Sequence, residues 1–356
     1  MNPNIEEADT LPGKVYSSKY MFEEAKEKIF AKSWQYVCTS DKFRLPASVY
    51  PFSFMDTFID EPLIFVRDKE DQVHCLSNVC THRGNLMVES PCQKRELVCC
   101  YHGGRFGLDG KFKSMPEFKE VKNFPSERDN LHSLSFDQLG DLMFTSLDPA
   151  FNFEEAFGEI KERLSFLPLN EMLINETLAH DYLVKANWGL YVENYLEGFH
   201  IPFVHPGLAK AIDFGSYKYE IGRYHNLQIG IMKGGEMTFD IPEGHKDHGQ
   251  DIGAYYYWVF PNLMLNFYPW GLSLNVVKPI QRGLTKVSFI PFVWDESKME
   301  GGAGGDLDTV QREDEAIVEM VQKGVGSRFY KKGRYSATME KGVHHFHSLL
   351  SEFLTR

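Results

Sequence analysis

Apolar residues recur at helical spacing between Ser18 and Trp34. Met21, Phe22, Ala25, Ile29 and Phe30 fall on one stripe, and Ser18 is a natural N-cap. The pattern then shortens. Trp34–Cys38, Pro62–Val66 and Val73–Leu76 read as strands, a further one lies near Leu142–Phe144, and the stretch 98–147 is rich in Gly, Pro and Asp. Asp148-Pro149 marks a boundary. The expected organisation is a small antiparallel β domain over 35–150, a second domain over 151–356, and an N-terminal helical segment, 1–34, that packs on the second domain.

In the second domain the period changes again. Phe153–Phe157 and Ile160–Arg163 read as helix. Tyr255–Phe260, Leu263–Tyr268, Leu272–Val277 and Lys286–Ile290 read as consecutive strands, punctuated by Asn262, Pro269 and Pro279. Thr309–Gly324 and His344–Leu354 are periodic helices. Three or four antiparallel strands flanked by helices predict an α+β domain. Met299–Gly305 is Gly-rich but lacks the preceding strand and following helix of a dinucleotide loop, so it reads as a plain loop. No repeat and no nicotinamide or flavin fingerprint is visible.

Composition narrows the function classes. A net charge of −12 without a basic run disfavours nucleic-acid binding. No 18-residue apolar segment predicts a membrane span, and the N-terminus lacks the basic and apolar regions of a signal peptide, so the expected compartment is the cytoplasm. Of six cysteines, Cys38, Cys75, Cys92 and Cys100 read as free thiols of a reducing compartment.

The other two cysteines carry chemistry. Cys80-Thr-His82 is followed, after sixteen residues, by Cys99-Cys-Tyr-His102. One Cys and one His on each of two arms is the ligand set of a Rieske [2Fe–2S] centre, in which a His pair replaces a Cys pair on one iron and raises the potential. A structural zinc site would more often pair Cys with Cys and His with His. Gly84, Gly103 and Gly104 allow the backbone to close on the cluster.

A second constellation is Glu193-Asn194-Tyr-Leu-Glu197-Gly-Phe-His200-Ile-Pro202-Phe-Val-His205. Asn194, Glu197 and His200 are three apart and are expected on one helix face, with Pro202 disturbing the helix so that His205 turns back toward His200. Two His and a carboxylate from elsewhere make a facial triad for mononuclear, non-haem Fe(II). Glu313, Asp314 and Glu315 are available on a later helix.

Both stretches resemble the α subunits of Rieske non-haem iron, ring-hydroxylating-type oxygenases. The resemblance spans about residues 18–350 and is strongest toward the choline and glycine-betaine monooxygenase group, in 193–205 and in Gly324–His347. Cys100 and Gly104 depart from it, standing where that family mostly has Pro and often has Trp. The resemblance implies an N-terminal antiparallel β Rieske domain and a C-terminal helix-grip-like sheet. It assigns Cys80, His82, Cys99 and His102 to the cluster and His200, His205 and Asp314 to Fe(II). The last rests on the run Glu313-Asp314, Glu319, Gln322, Gly324; Glu313 and Glu315 are then expected on solvated faces. It gives Glu197 the role of an electron bridge from a neighbouring subunit, with Asn194 in support. It also implies a homotrimer, a separate NAD(P)H-dependent reductase or ferredoxin, and O₂ with a small organic substrate to be hydroxylated or demethylated. A quaternary ammonium substrate would suit a cage drawn from Tyr255, Tyr256, Tyr257, Trp258, Phe267, Tyr268 and Trp270. The alternatives are an aromatic-ring dioxygenase α subunit and a Rieske electron carrier without oxygenase activity.

Overall fold

The computed structural model describes residues 1–207, 218–299 and 307–355. The chain divides into two compact units, residues 31–150 and residues 1–30 with 151–356.

The smaller unit is built from short antiparallel strands: β1 (Gln35–Thr39), β2 (Ser48–Phe54), β3 (Glu61–Arg67), β4 (Val73–Ser77), β5 (Cys92–Gln93), β6 (Leu97–Val98), β7 (Arg105–Phe106), β8 (Phe112–Ser114), β9 (Ser135–Leu139) and β10 (Leu142–Ser146). They form three sheets, ordered β4-β3-β2-β5, β6-β7-β8 and β1-β10-β9. Ile64, Val66, Leu76, Leu97 and Phe106 share one core with Cys80 and Cys99 at its edge. Two arms project from it, one after β4 and one after β6.

In the larger unit the N-terminal stripe is not one helix running to Trp34. It comprises α1 (Lys14–Ser17), α2 (Lys19–Ala25) and a π-turn (Lys26–Phe30). Ser18 is the reason for the first break: its backbone is extended and its hydroxyl accepts from the Met21 amide, starting a new helix. Phe30 ends the segment edge-on to Trp188, at 4.9 Å between ring centroids.

Then come α3 (Phe153–Arg163), β11 (Leu173–Ile174), β12 (His180–Val184), α4 (Trp188–Tyr195), α5 (Ile201–Val204), β13 (Lys218–Ile221), β14 (His225–Ile231), β15 (Ile252–Val259), β16 (Leu263–Tyr268), β17 (Gly271–Gln281), β18 (Leu284–Val293), α6 (Leu307–Val325) and α7 (Lys341–Thr355). Among the described residues the strands make one eight-stranded antiparallel sheet, with the path β11-β18-β17-β16-β15-β14-β13 and β12 also on β18. This α+β unit is wider than three or four strands. The added strands are β11 to β14: β11, β12 and β13 are short and largely exposed, and β14 is buried but carries His225, Asn226 and Gln228 among its apolar residues, so none has a clean apolar signature. Residues 300–305 of the Gly-rich stretch lie outside the described residues.

Central strands of this sheet are buried on both faces, which is why they read as continuous apolar runs. Alternation still sorts them. On one face Tyr255 donates to Asp247 (3.0 Å) and Tyr257 to Glu159 (2.7 Å). Both acids pair with Arg163, whose guanidinium also meets Glu220. On the other face the cross-strand register lines up Gln228, Tyr256, Asn266 and Ser273 in a row.

Candidate metal centres and active site

The two arms of the smaller unit are closed alike. Gly84 N–H donates to the Cys80 carbonyl (3.0 Å) and Cys80 N–H to Asn85 (2.8 Å); Gly103 N–H donates to the Cys99 carbonyl (3.0 Å) and Cys99 N–H to Gly104 (2.8 Å). Gly84 and Gly103 both sit at φ +72°, which glycine adopts without strain. Cys80 and Cys99 are 3% and 2% exposed, while His82 is exposed and His102 half-buried. The imidazoles stand 4.8 Å apart between centroids. Burial and the adjacent Cys99 thiol raise the Cys80 pKa. Paired buried thiols and paired outward imidazoles fit a two-iron cluster with its histidine end toward the surface. Cys100 is exposed and accepts from Asn85 Nδ2 at 3.4 Å. At Gly104 a Cβ would come within 3.0 Å of Met115 Sδ, so the thioether occupies the adjoining space.

In the larger unit, Asn187 N-caps α4 by accepting from the Gly189 amide (2.9 Å). Helix α4 does not continue through His200. It stops at Leu196, whose N–H is shared between the Val192 and Glu193 carbonyls at 3.1 Å each. Asn194 is therefore helical, whereas Glu197 and His200 lie in the following turn. Pro202 falls in the first turn of α5, where a missing N–H costs nothing, so it helps to start a helix between the two histidines. His205 closes that helix.

One ligand atom from each of His200, His205 and Asp314 lies within 4.8 Å of the others, and the two imidazoles are inclined at 78°. Asp314 Oδ1 is 3.0 Å from His205 Nε2 and 3.5 Å from His200 Nε2. The opposite ring nitrogens are taken. His200 Nδ1 meets Glu197 Oε1 at 2.7 Å, and Glu197 Oε2 also accepts from the His200 amide. His205 Nδ1 meets Glu313 Oε2 at 2.6 Å. With Nδ1–H donating to a carboxylate, each Nε2 lone pair is free to face an ion. Two imidazoles and one carboxylate on a common face fit non-haem iron(II).

Asn194 Nδ2 donates to Asp314 Oδ1 at 2.6 Å. Burial opposes protonation of His205, but Asp314 and Glu313 outweigh it and raise its pKa. Glu313 is thus not a solvated bystander, as the sequence reading had it. Adjacent residues on a helix point about 100° apart, yet Glu313 meets Nδ1 and Asp314 meets Nε2 of His205, whose ring at the end of α5 spans both directions.

Helix α6 is set by its own side chains. Glu319 accepts from the Lys185 amide (2.9 Å) and Gln322 from the Asn187 amide (2.7 Å), just ahead of α4. Tyr191 donates to Gln311 Oε1.

The three ligand residues open onto a cavity of about 120 Å³. Tyr191, Tyr195, Tyr256, Tyr268 and Phe289 give it aromatic walls, and five amide side chains give it polar ones. Of the seven aromatics expected as a cage, only Tyr256 and Tyr268 line it. Tyr255, Tyr257 and Phe267 belong to the opposite sheet face, Trp258 packs on Phe346, and Trp270 stacks behind Tyr268 at 5.3 Å. The sequence reading also missed Gln228, Asn266, Asn275 and Gln311. Their signal was a single amide inside an apolar strand, or an amide one helical turn before Asp314.

Comparison with known proteins agrees with this geometry. Residues 172–356 match the family model of the ring hydroxylating alpha subunit catalytic domain, and residues 33–125 that of the Rieske [2Fe-2S] domain. Choline monooxygenase of Beta vulgaris is 27% identical over 360 residues, covering 98% of this chain and 78% of its own. The carnitine monooxygenase oxygenase subunit of Escherichia coli (strain K12) is 28% identical over 365 residues, covering 98% and 95%. In fold, the chain resembles a quaternary ammonium Rieske monooxygenase in complex with L-carnitine (TM-score 0.75, 23% identity, 99% and 97% covered). It also resembles naphthalene 1,2-dioxygenase from Rhodococcus sp. (TM-score 0.75, 15% identity, 98% and 95% covered).

Proposed function

Because the chain belongs to the ring-hydroxylating oxygenase α subunits and carries their Rieske [2Fe–2S] domain, we propose that it is a monooxygenase acting on a small quaternary ammonium compound. As a member of that family it is an O₂-dependent oxidoreductase with a Rieske cluster and a mononuclear iron, which removes the electron-carrier alternative. The cluster would be held by Cys80, His82, Cys99 and His102, and the iron by His200, His205 and Asp314. When bound, the cluster supplies single electrons and the iron activates dioxygen beside the substrate.

The chain's own residues do the rest. Glu197 and Glu313 fix the tautomer and aim of the two imidazoles. Asn194 holds one Asp314 oxygen by a hydrogen bond. Glu197 is further proposed to couple His200 to the Rieske histidine of a neighbouring copy, which requires a closed ring of subunits, a homotrimer. A separate NAD(P)H-dependent reductase or ferredoxin delivers the electrons. Beyond the two cluster cysteines, Cys38, Cys75, Cys92 and Cys100 are free thiols, which suits the reducing cytoplasm as its compartment.

The observation that carries the substrate class is the wall of the cavity. Tyr256 and Tyr268 line the cavity onto which the metal-ligand residues open, and among the described residues no lysine or arginine lines it. Aromatic faces attract a quaternary ammonium group. Glu197, Glu313 and Asp314 are three carboxylates against one divalent ion, so the surroundings also favour a cation. Choline and carnitine monooxygenases are similar to this chain at 27–28% identity over nearly its whole length, whereas naphthalene 1,2-dioxygenase is 15% identical.

The test is a single turnover. The iron-loaded protein is reduced chemically, dioxygen is added, and reoxidation of the Rieske absorbance is followed with quaternary ammonium compounds and with aromatic hydrocarbons and acids. Fast reoxidation with product is expected only with the cations; product from the aromatic compounds alone would overturn the assignment.

A further inference from the structure

The link between α6 and α7 carries the most exposed large apolar side chain among the described residues. Phe329 is 88% exposed and its neighbour Tyr330 38%. Arg328, Lys331, Lys332 and Arg334 flank them and are exposed as well. Lys332 lies 4.0 Å from Asp9, and the other three pair with no acid among the described residues. The backbone beneath these side chains is nevertheless held. Thr10 N–H donates to the Gly333 carbonyl (3.0 Å), Gly333 N–H to Thr10 Oγ1 (2.8 Å) and Gly13 N–H to the Lys331 carbonyl (3.4 Å), while Asp9 and Arg334 form an antiparallel bridge. Aromatic rings and a guanidinium on a fixed backbone lose little freedom on association, and they are the side chains that anchor interfaces.

Charge says what covers them. The chain carries 38 lysines and arginines against 50 aspartates and glutamates, and residues 328–334 hold four of the former and none of the latter. Two copies at a net charge of −12 repel each other. In a closed head-to-tail ring each contact joins two different surfaces, so a contact between like-charged copies can still pair unlike patches. The 328–334 strap offers such a patch, with cations around an apolar side chain, and every copy of the chain offers acids in excess. Resting on the ring of subunits proposed above, we propose that this strap is the surface by which one copy grips the next, with Phe329 as its apolar anchor and Arg328, Lys331 and Lys332 facing carboxylates of the neighbour.

The experiment is sedimentation of the iron-loaded, full-length protein across a range of protein and salt concentrations. Salt weakens attraction between unlike patches and relieves repulsion between like ones, so the two cases differ in sign. The parent is expected to dissociate more readily as salt rises from about 0.05 to 0.5 M. Phe329→Ser is expected to need roughly 5- to 30-fold more protein to assemble, the range for loss of an interface anchor. Lys331→Glu combined with Lys332→Glu is expected to weaken assembly and to reverse the salt trend. Rieske absorbance and iron content are expected to match the parent in both variants, which separates lost assembly from lost folding; the salt trend of the parent makes the test without a variant. The inference is overturned if either variant folds and assembles as the parent does, the result that an acidic electron donor seated on the strap would give, or if assembly of the parent tightens with salt. A parent that stays a single copy at every concentration would instead overturn the ring reading beneath it.

Discussion

A carboxylate set against the far nitrogen of a ligating imidazole holds the ring's tautomer and direction and makes the near nitrogen a better donor. Glu313 and Glu197 do this for His205 and His200, at 2.6 and 2.7 Å, yet they are expected to fail differently when neutralised. Glu313→Gln should weaken iron binding by about 10- to 100-fold, read by competition with a chelator, while the visible spectrum of the Rieske centre is unchanged. Glu197→Gln should leave both metals in place and abolish product, because its proposed task is to couple His200 to a neighbouring copy. Normal turnover in that variant would remove the bridging role. Sequence alone separated these two acids poorly. Glu197 stood in a string dense with chemistry, whereas Glu313 was one of three acids in a row, and only the position of His205 at the end of α5 shows that two of them reach the same imidazole.

Helices α4, α6 and α7 hold the ligand residues in register, and their glycines report how closely. A Cβ on Gly342 of α7 would sit 2.4 Å from the Leu196 carbonyl oxygen, at the point where α4 ends and the turn bearing Glu197 and His200 begins. Gly342→Ala should therefore destabilise the protein by about 1–3 kcal/mol through overpacking and lower its iron content, measured by thermal unfolding and metal analysis. Gly324, near the end of α6, has nothing within 4 Å of its Cβ position. There, alanine should stabilise by up to about 1 kcal/mol from helix propensity, and a loss of stability would show that α6 is more closely packed than its surroundings indicate. The long elements were legible because their period was uninterrupted: α6 and α7 extend the stretches read as helix by one to three residues at each end. The break between α4 and α5 was not. Spacing by threes fits a helix, and it masked the one local stop signal in Leu196–His200, Gly198.

The larger unit should lose stability from pH 6.5 downward. His345 is half-buried on α7, with Nδ1 against Asn226 Oδ1 at 2.6 Å, and the loss of water around it pushes its pKa down to about 4; burial likewise lowers His225. His345 is therefore neutral in the folded protein down to about pH 4, with His225 shifted in the same direction, while the unfolded chain takes up these protons near pH 6.5. The unfolded state therefore binds more protons between about pH 6.5 and 4, and stability falls as pH falls across that window. Below it Asp247 adds to the loss. Burial alone would raise its pKa, but Arg163 overrides this and holds it below the usual carboxylate value, so its contribution is present above pH 4 and lost under it. Thermal midpoints measured from pH 7 to 4 should decline in the parent and decline less in His345→Gln; parallel curves would assign the slope to other groups. At this scale the α+β class and the two motif-bearing regions could be read from pattern, but the width of the sheet could not, because β12 and β13 are stabilised by neighbours far along the chain and carry little apolar pattern of their own. The same long reach has a consequence for biosynthesis. Asp314 lies 109 residues after His205. At about 5–20 residues per second, a growing chain offers its two imidazoles for roughly 5–20 s before the third ligand, Asp314, exists. Imidazoles alone prefer copper or zinc to iron. The two-imidazole, one-carboxylate set proposed for iron exists only once α6 has been made and docked, so loading of this site is expected to belong to the finished chain.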